Sequence, residues 1–373
     1  MSADHARYHR QTLLPAIGAE GQRQLGEAHV LIVGSGALGC VIADALTRAG
    51  VGRITIVDRD VVEITNLQRQ ILFDESDVDA GTPKAIAAAT RLRAINGAIE
   101  IIAHVDDFNH RNAERLLGDA DVIVDGLDNF QTRYILNDLA VERGVAYIYG
   151  GAVATGGVSL PVLPHADVRM AAPPRRLTWT DAQSTPCLRC VFPEAPPPGT
   201  TPTCDTAGVL GPLVMTIGAH QATQTLKLLT GNIDALDRRL LSIDVWSNEW
   251  RRFDVSGARR DARAACPCCV EGRFEHLDGS AAGAAITLCG RNAVQMTGAA
   301  ETSALDLDAA AARLASHGSF HANDFLLRGV FRDERGPDGD AIELTLFSNG
   351  RAIIKGTTEP ELARSIYARY VGI

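Results

Sequence analysis

One glycine-rich segment constrains the fold of this chain more than any other stretch. An apolar run over residues 29–33 leads into Gly34–Ser35–Gly36–Ala37–Leu38–Gly39, and an amphipathic pattern continues from there to Ala49. This order predicts a strand, a tight turn and a helix, with glycines where the backbone must turn and approach a phosphate group. We therefore expect a nucleotide site at this turn. Its predicted members are Gly34, Gly36, Ala37 and Gly39.

A second apolar run ends in a carboxylate that suits a nucleotide. Residues 53–57 form a predicted strand, and the Asp58 that follows can accept hydrogen bonds from the hydroxyls of a ribose. The polar and cationic side chains that come next suit the binding of a triphosphate that undergoes nucleophilic attack. A dehydrogenase would instead need a flat slot for nicotinamide and little positive charge near the pyrophosphate. A nicotinamide-dinucleotide-binding protein is therefore the less favoured alternative. The polar and cationic candidates are Asp60, Thr65, Asn66, Gln68, Arg69 and Lys84.

Alternating strands and helices continue through the first half of the chain. Strands over 99–105 and 121–125 and helices over 111–117 and 131–143 predict a doubly wound sheet, with its site at the carboxyl ends of the strands. Asp128 follows directly past one strand, beside Asn129. Asp128 suits either the site or an N-cap of the helix over 131–143, and the two roles are compatible. Asp125 lies within the strand end, where we expect it to pair locally.

Taken together, these motifs resemble the ThiF/MoeB family, the bacterial relatives of ubiquitin-activating enzymes. The resemblance covers residues from about 7 to 270, and it rests on the glycine turn, Asp58, the pattern Asn66-x2-Arg69, Lys84 and Asp128. It implies a Rossmann-like, mainly parallel sheet that continues into antiparallel strands. It also implies an adenylyltransferase that uses ATP and Mg²⁺ to activate the C-terminal glycine of a small ubiquitin-fold sulfur carrier ending in Gly–Gly.

The resemblance also assigns roles to single residues. It implies that Arg10 reaches across a homodimer to the ATP phosphates of the partner subunit, that Arg69 and Lys84 bind phosphates, and that Asp128 binds magnesium. Cys204 matches a family cysteine that can take a persulfide or acyl bond, so a sulfur donor protein is a possible second partner. The alternative interpretation of Cys204, left equally open, is a thiol that takes no part in the chemistry. The alternative function is a ligase of the same fold that conjugates a ubiquitin-like protein or modifies a peptide, with a thioester at Cys204.

Two C-x2-C pairs predict a structural zinc site. Four thiolates at such spacing suit tetrahedral zinc, which would tie the end of the main domain to its middle. Cys268 leaves the choice of ligand open, and the family pattern favours Cys269 over it. A redox role is less favoured, because neither pair opens a helix in a thioredoxin-like unit. The predicted ligands are Cys187, Cys190, Cys266 and Cys269.

The composition shifts near residue 272, and we expect two domains, 1–272 and 273–373. The second should be a small α+β module, with strands over 286–289 and 325–331, helices over 307–316 and 359–370, and a hairpin that turns at Asn349–Gly350. It is too short for a rhodanese domain, so we expect Cys289 to be strand core. We also expect a longer loop over 165–183, a helix over 212–230 and an edge strand over 240–246.

Net charge and the N-terminal residues bound the cellular context. The 373 residues carry a net charge of −9, which argues against nucleic acid or an anionic membrane as the main partner. The first residues lack the apolar region of a signal peptide, and no run approaches the length needed to span a bilayer. We therefore expect a cytoplasmic protein, whose eight cysteines are thiols or metal ligands rather than disulfides.

Overall fold

The computed structural model describes residues 6–165, 177–194, 207–259, 265–281, 286–288, 292–296 and 305–371. The chain divides into two compact units. The described residues of the first unit lie between 6 and 281, and those of the second between 286 and 371.

The first unit is built on an eight-stranded sheet in the order β3-β2-β1-β4-β5-β6-β7-β8. The first five strands in this order, β3, β2, β1, β4 and β5, are parallel to one another. Strands β6, β7 and β8 are antiparallel to their neighbours. The strands are β1 (His29–Val33), β2 (Arg53–Val57), β3 (Glu100–His104), β4 (Val122–Asp125), β5 (Ala146–Val153), β6 (Gly156–Val162), β7 (Leu240–Asp244) and β8 (Glu249–Phe253).

The helices of the first unit either precede β1 or lie in the connections between the strands. They are α1 (His9–Thr12), α2 (Gly18–Gly26), α3 (Ala37–Ala49), α4 (Glu75–Asp79), α5 (Lys84–Ile95), α6 (Ala113–Leu117), α7 (Phe130–Arg143), α8 (Leu188–Val191) and α9 (Gly211–Leu229). Short 3-10 turns occur at Ile64–Asn66, Asp181–Gln183 and Ile233–Ala235.

Strand β1 lies at the centre of the core, and its five residues are all buried. Val30 and Ile32 belong to one apolar cluster, whereas Leu31 and Val33 belong to another. Successive side chains of a strand point to opposite faces, so the two clusters lie on the two faces of the sheet. A continuous apolar strand is typical of a parallel sheet with both faces covered.

The carboxyl ends of three neighbouring strands meet in register. Val33 of β1 pairs with Val57 of β2 on one side and with Asp125 of β4 on the other. The chain order changes direction at β1, which makes this edge the switch point where open α/β sheets bind ligands. The turns that begin at Gly34, Asp58 and Gly126 therefore start side by side.

The predicted edge strand over 240–246 is wrong in its position. Strand β7 is an interior strand, and the edge belongs to β8, which the sequence analysis missed. All five residues of β8 are exposed, so its sequence has no apolar alternation to reveal it. Asn248, with a φ of 59°, forms the turn between the two strands.

In the residues that the structure describes, the second unit contains two helices and a six-stranded antiparallel sheet with the strand order β11-β12-β13-β14-β10-β9. Strands β10 and β11 are additions to the sequence prediction, and Cys289 lies outside the described residues. The elements are β9 (Ile286–Leu288), β10 (Ala293–Met296), α10 (Leu307–Leu314), β11 (Gly318–Ala322), β12 (Leu326–Arg335), β13 (Ala341–Phe347), β14 (Ala352–Lys355) and α11 (Pro360–Tyr370).

The predicted fold class is confirmed: a Rossmann-like sheet that continues into antiparallel strands, with a small α+β region at the C-terminal end. Gly350, in the predicted hairpin turn, has a positive φ of 79°. Of the loop predicted over 165–183, the structure describes His165 and residues 177–183, where the buried Trp179 donates its Nε1–H to the carbonyl of Pro164 at 2.8 Å. No helix among the described residues combines the length and apolar character that crossing a bilayer requires.

Candidate nucleotide and metal sites

Three glycines pack backbone to backbone at the carboxyl edge of the sheet. Gly34 has a φ of +91°, and a Cβ built on Gly39 would lie 1.9 Å from the carbonyl oxygen of Gly34. A Cβ on Gly126 would lie 2.1 Å from that same oxygen. No side chain fits at these positions, so the turn after β1 and the turn after β4 are pressed together. Gly126 was missed as a site residue, although it follows the strand directly.

The remaining two residues of the predicted glycine turn complete the start of α3. Gly36 is the N-cap residue in an extended conformation, and Ala37 is the first helical residue. The N-terminus of α3 therefore points its first backbone N–H groups toward the edge of the sheet. Such a helix start favours a negatively charged group such as phosphate.

Asp58 links the glycine turn to the end of β2. Its Oδ2 accepts a hydrogen bond from the backbone N–H of Ser35 at 2.7 Å, and its Oδ1 accepts one from the N–H of Asp60 at 2.7 Å. Burial raises the pKa of Asp58, while the nearby charge of Lys84 opposes this shift. The carboxylate is thus held in one orientation at the place predicted for a ribose.

Lys84 is the first residue of α5, and its side chain is only 4% exposed. Its Nζ lies 3.3 Å from Oδ2 of Asp60. A buried ammonium is stable only beside a compensating charge, which Asp60 supplies here and a phosphate could share. The structure therefore brings Asp58, Asp60 and Lys84 together.

The segment after β2 holds its polar residues by local contacts. Arg69 is partly exposed and donates through Nη1 to the carbonyl of Thr65 at 2.7 Å. Asn66 is buried, and its Oδ1 accepts from the backbone N–H of Glu63 at 3.0 Å, closing a capping box. Gln68 is exposed and its backbone carbonyl lies beside Gly211. Asn66 thus stabilises this turn through its hydrogen bonds, while the side chain of Arg69 stays partly exposed to solvent.

Asp128 is exposed in the turn after β4. The N-cap of α7 is its neighbour Asn129, whose Oδ1 accepts from the backbone N–H of Thr132 at 2.9 Å. The suggestion that Asp128 caps this helix is therefore wrong, because the helix begins at Phe130 and the residue directly before it is Asn129. This leaves the carboxylate of Asp128 at the same edge as the glycine turn.

Asp125 pairs locally, as expected. Its Oδ2 accepts from Nε of Arg133 at 3.0 Å and from the hydroxyl of Tyr147 at 2.7 Å. Arg133 also donates to the carbonyls of Leu127 and Gly150. The sequence analysis missed Arg133, for which its position one turn into α7 is the only signal. This buried network supports the turn that carries Asp128.

Arg10 lies in α1 at the protein surface. The residues around it are fixed to their own unit, because Asn96 donates to the hydroxyl of Tyr8 at 2.8 Å and Gln11 donates to the carbonyl of Ala49 at 2.9 Å. Arg10 itself is exposed and makes no side-chain hydrogen bond or ion pair with a residue that the structure describes. Of the predicted phosphate-binding cations, Lys84 lies close to Asp58, Arg69 contacts the carbonyl of Thr65 in the segment after β2, and Arg10 projects outward.

Four cysteine thiols form a separate cluster in the first unit. Their Sγ atoms all lie within 4.8 Å of one another. The Cys187–Cys190, Cys187–Cys266 and Cys190–Cys269 pairs are 3.8, 3.7 and 3.3 Å apart. Sulfurs that bind one tetrahedral zinc at ~2.3 Å are ~3.8 Å from each other, so the cluster fits that ion.

Cys268 lies outside this cluster, although it is adjacent to Cys269. Its Sγ accepts a hydrogen bond from Nδ2 of Asn137 at 3.3 Å, and Oδ1 of Asn137 accepts from the backbone N–H of Leu188 at 2.7 Å. Helix α7 therefore contacts both C-x2-C segments. The geometry favours Cys269 as the fourth ligand. Cys204, the remaining predicted site residue, lies outside the described residues.

Comparison with known proteins places these features in a family. The ThiF family model matches residues 8–268. The chain is 40% identical over 367 residues to the sulfur carrier protein ThiS adenylyltransferase of Bacillus subtilis, which covers 98% of this chain and 99% of that protein. It is 39% identical over 263 residues to the sulfur carrier protein adenylyltransferase of Thermus thermophilus, covering 70% of this chain and 90% of that protein.

Solved structures support the fold independently. MccB of E. coli in complex with MccA-N7isoASN superposes with a TM-score of 0.57 at 22% identity, covering 70% of this chain and 74% of that one. PaaA superposes with a TM-score of 0.53 at 20% identity, covering 68% and 73%. At this level of identity the likeness shows the fold alone.

Proposed function

This chain belongs to the ThiF family, and from that membership we propose that it adenylates the C-terminal glycine of a small ubiquitin-fold sulfur carrier of the ThiS type. The observation that carries the proposal is the match to the Bacillus ThiS adenylyltransferase, which extends over almost the full length of both chains. The Thermus relative matches a shorter part of this chain. The full-length match therefore favours a ThiS-type carrier over other carriers of the same fold.

The reaction joins two anions. A carboxylate oxygen of the terminal glycine forms a bond to the α-phosphorus of ATP, the α–β phosphoanhydride bond breaks, and pyrophosphate leaves with its electron pair. A carboxylate is ionised at pH 7, so no general base is needed. The site must instead cancel the repulsion between the reactants and stabilise the transition state more than the ground state.

The segment after β2 and the start of α5 supply the charges for this task. The buried ammonium of Lys84 and the partly exposed guanidinium of Arg69 would bind phosphates, and Asp58 would hold the ribose. The exposed carboxylate of Asp128 suits Mg²⁺, which commonly binds through one or two carboxylates together with substrate phosphates. When bound, this ion would neutralise phosphate charge during the transfer.

The four-cysteine cluster would hold a structural zinc ion. Cys187 is the N-cap of the short helix α8 and Cys190 lies within this helix, while Cys266 and Cys269 come from the last part of the first unit. A closed set of four thiolates leaves no open position for catalysis, which supports a structural role. The cluster would hold two distant segments of the chain together.

A homodimer would bring Arg10 to the nucleotide of the partner subunit. Support comes from the exposure of Arg10 on an arm whose neighbouring residues are anchored. Mixing inactive Arg10→Ala and Lys84→Met proteins should restore activity, because one of the two sites in a mixed dimer keeps both cations. No gain above the separate proteins after subunit exchange would count against action across an interface.

Exchange of labelled pyrophosphate into ATP tests the main proposal. Exchange should depend on a carrier that ends in Gly–Gly, and it should disappear when the same carrier lacks these two residues. Carrier-independent exchange, or none with a panel of such carriers, would contradict the proposal. A tightly bound nicotinamide dinucleotide in the purified protein would support the binding protein considered above instead.

Cys204 distinguishes the later steps. With a Cys204→Ala variant, retained pyrophosphate exchange and lost transfer from a sulfur donor protein would indicate a covalent role after adenylation. A thioester between the carrier and Cys204, found by mass spectrometry under non-reducing conditions, would favour the conjugating or peptide-modifying alternative. Unchanged transfer would show that the thiol has no covalent role.

A further inference from the structure

Arg59 belongs to a line of four alternating charges that ends at Lys84. Nη1 of Arg59 lies 2.8 Å from Oδ1 of Asp107, and its Nε lies 3.8 Å from Oδ1 of Asp60. The other oxygen of Asp60 lies 3.3 Å from Nζ of Lys84. The four side chains are between 4% and 21% exposed, so water screens these charges only weakly.

We infer that Arg59 is a positioning residue that divides the charge of Asp60 between two cations and so leaves Lys84 available to nucleotide phosphates. This inference rests on the proposed ATP-dependent function. Without Arg59, the carboxylate of Asp60 would lose one of its two cationic neighbours and would attract Lys84 more strongly in a poorly screened environment. An incoming phosphate would then have to compete more strongly with Asp60 for the same ammonium.

Asp107 holds the guanidinium in place. It follows β3, whereas Arg59 and Asp60 follow the adjacent strand β2. The loop of Asp107 is itself fixed, because its backbone carbonyl accepts from Nδ2 of Asn109 at 2.7 Å and from Nδ2 of Asn112 at 2.9 Å. The side chain of Arg59 therefore spans two neighbouring strand ends between fixed points.

An arginine suits this position better than a lysine. The guanidinium has donors in a fixed fork, so it can contact two carboxylates at once, and it stays charged at any physiological pH. Burial lowers the pKa of Arg59, but the nearby carboxylates of Asp107, Asp60 and Asp128 raise it by more. Arg59 is thus committed to carboxylates of the protein, which distinguishes it from Lys84.

A double-mutant cycle on ATP affinity tests this inference. Dissociation constants for ATP would be measured by calorimetry on full-length wild type, Arg59→Met, Lys84→Met and the double variant. Arg59→Met alone should weaken binding about tenfold, whereas it should change binding less than about twofold when Lys84 is already Met, because coupled residues are not additive. Equal losses in both backgrounds would overturn the inference and indicate direct contact of Arg59 with the nucleotide or a general structural role.

Two controls sharpen the result. Arg115→Met removes a neighbouring, exposed pair with Asp106 and should leave ATP affinity unchanged. If Arg59→Met fails to fold, Asp107→Asn replaces it in the cycle and should show the same dependence on Lys84. Intact ATP binding without carrier-dependent pyrophosphate exchange would refute the proposed function alone, while a wild-type chain that binds no ATP would overturn both.

Discussion

Arg133 donates its Nε–H to Oδ2 of Asp125 at 3.0 Å, and the structure buries both side chains. The pair joins the end of β4 to the first turns of α7, and a further hydrogen bond from Arg133 to the carbonyl of Gly150 adds β5. Three elements that meet at the carboxyl edge are thus connected through one guanidinium. The turn that carries Asp128 lies between Asp125 and Arg133 in the chain.

Replacing Arg133 should destabilise the fold strongly. Arg133→Met would leave the buried carboxylate of Asp125 without its compensating charge, which costs about 3–5 kcal/mol when a buried pair is broken. Urea denaturation would measure the free energy of unfolding. Arg48→Met, which removes an exposed pair with Asp44, should cost less than about 1 kcal/mol. The double variant Arg133→Met with Asp125→Asn should recover part of the loss, and no recovery would argue against an electrostatic cause.

Metal content should separate the two neighbouring cysteines. Cys269→Ser should abolish binding of one zinc per chain, whereas Cys268→Ser should retain it, because of these two only Cys269 belongs to the four-sulfur cluster. Elemental analysis of the purified proteins would measure this. A chelator should lower the melting temperature of wild type and Cys268→Ser, because metal binding contributes to folding. Zinc loss in Cys268→Ser alone would reverse the assignment.

Removing the buried ammonium should slow adenylation. Lys84→Met should reduce kcat/KM for ATP in pyrophosphate exchange. The reduction should correspond to a loss of about 2–4 kcal/mol of transition-state stabilisation, the scale for loss of one preorganised charge or donor. Lys227→Met is the matched control, since that ammonium donates to the carbonyl of Ala235 away from the glycine turn. Equal activity of the two variants would contradict the role of Lys84. Melting temperatures would confirm that both are folded.

His29 should make stability depend on pH. Its Nδ1 lies 2.8 Å from Oδ1 of Asp119 and its Nε2 lies 2.8 Å from Oγ1 of Thr55, and burial lowers its pKa. Below about pH 6.5, the unfolded chain gains a proton that the folded chain resists, so the free energy of unfolding falls as pH decreases. Urea denaturation between pH 7.5 and 5.0 should show a weaker decrease for His29→Gln. Identical decreases would exclude this contribution.

Local sequence determined most of the fold. The glycine turn at 34–39, the apolar strands and the Asn349–Gly350 hairpin follow from nearest-neighbour chemistry, and the structure contains each of them. Strand β8 escaped detection because its residues are exposed on an edge, where pairing with β7 rather than apolar alternation defines the strand. The N-cap of α7 is Asn129, one residue after the predicted Asp128. The sequence alone did not distinguish the two, because Asp and Asn are both good N-cap residues.

The sequence by itself determined the strand–turn–helix order, the candidate carboxylates and cations, and the two C-x2-C pairs. Only the tertiary structure decided which of these groups share a partner. Asp60 lies between Arg59 and Lys84, Arg133 reaches Asp125, and Cys268 faces Asn137 while Cys269 faces Cys190. The physical reason is that spacing along a chain sets which residue types are present, whereas strand order and side-chain direction set the distances on which charge pairing and metal binding depend.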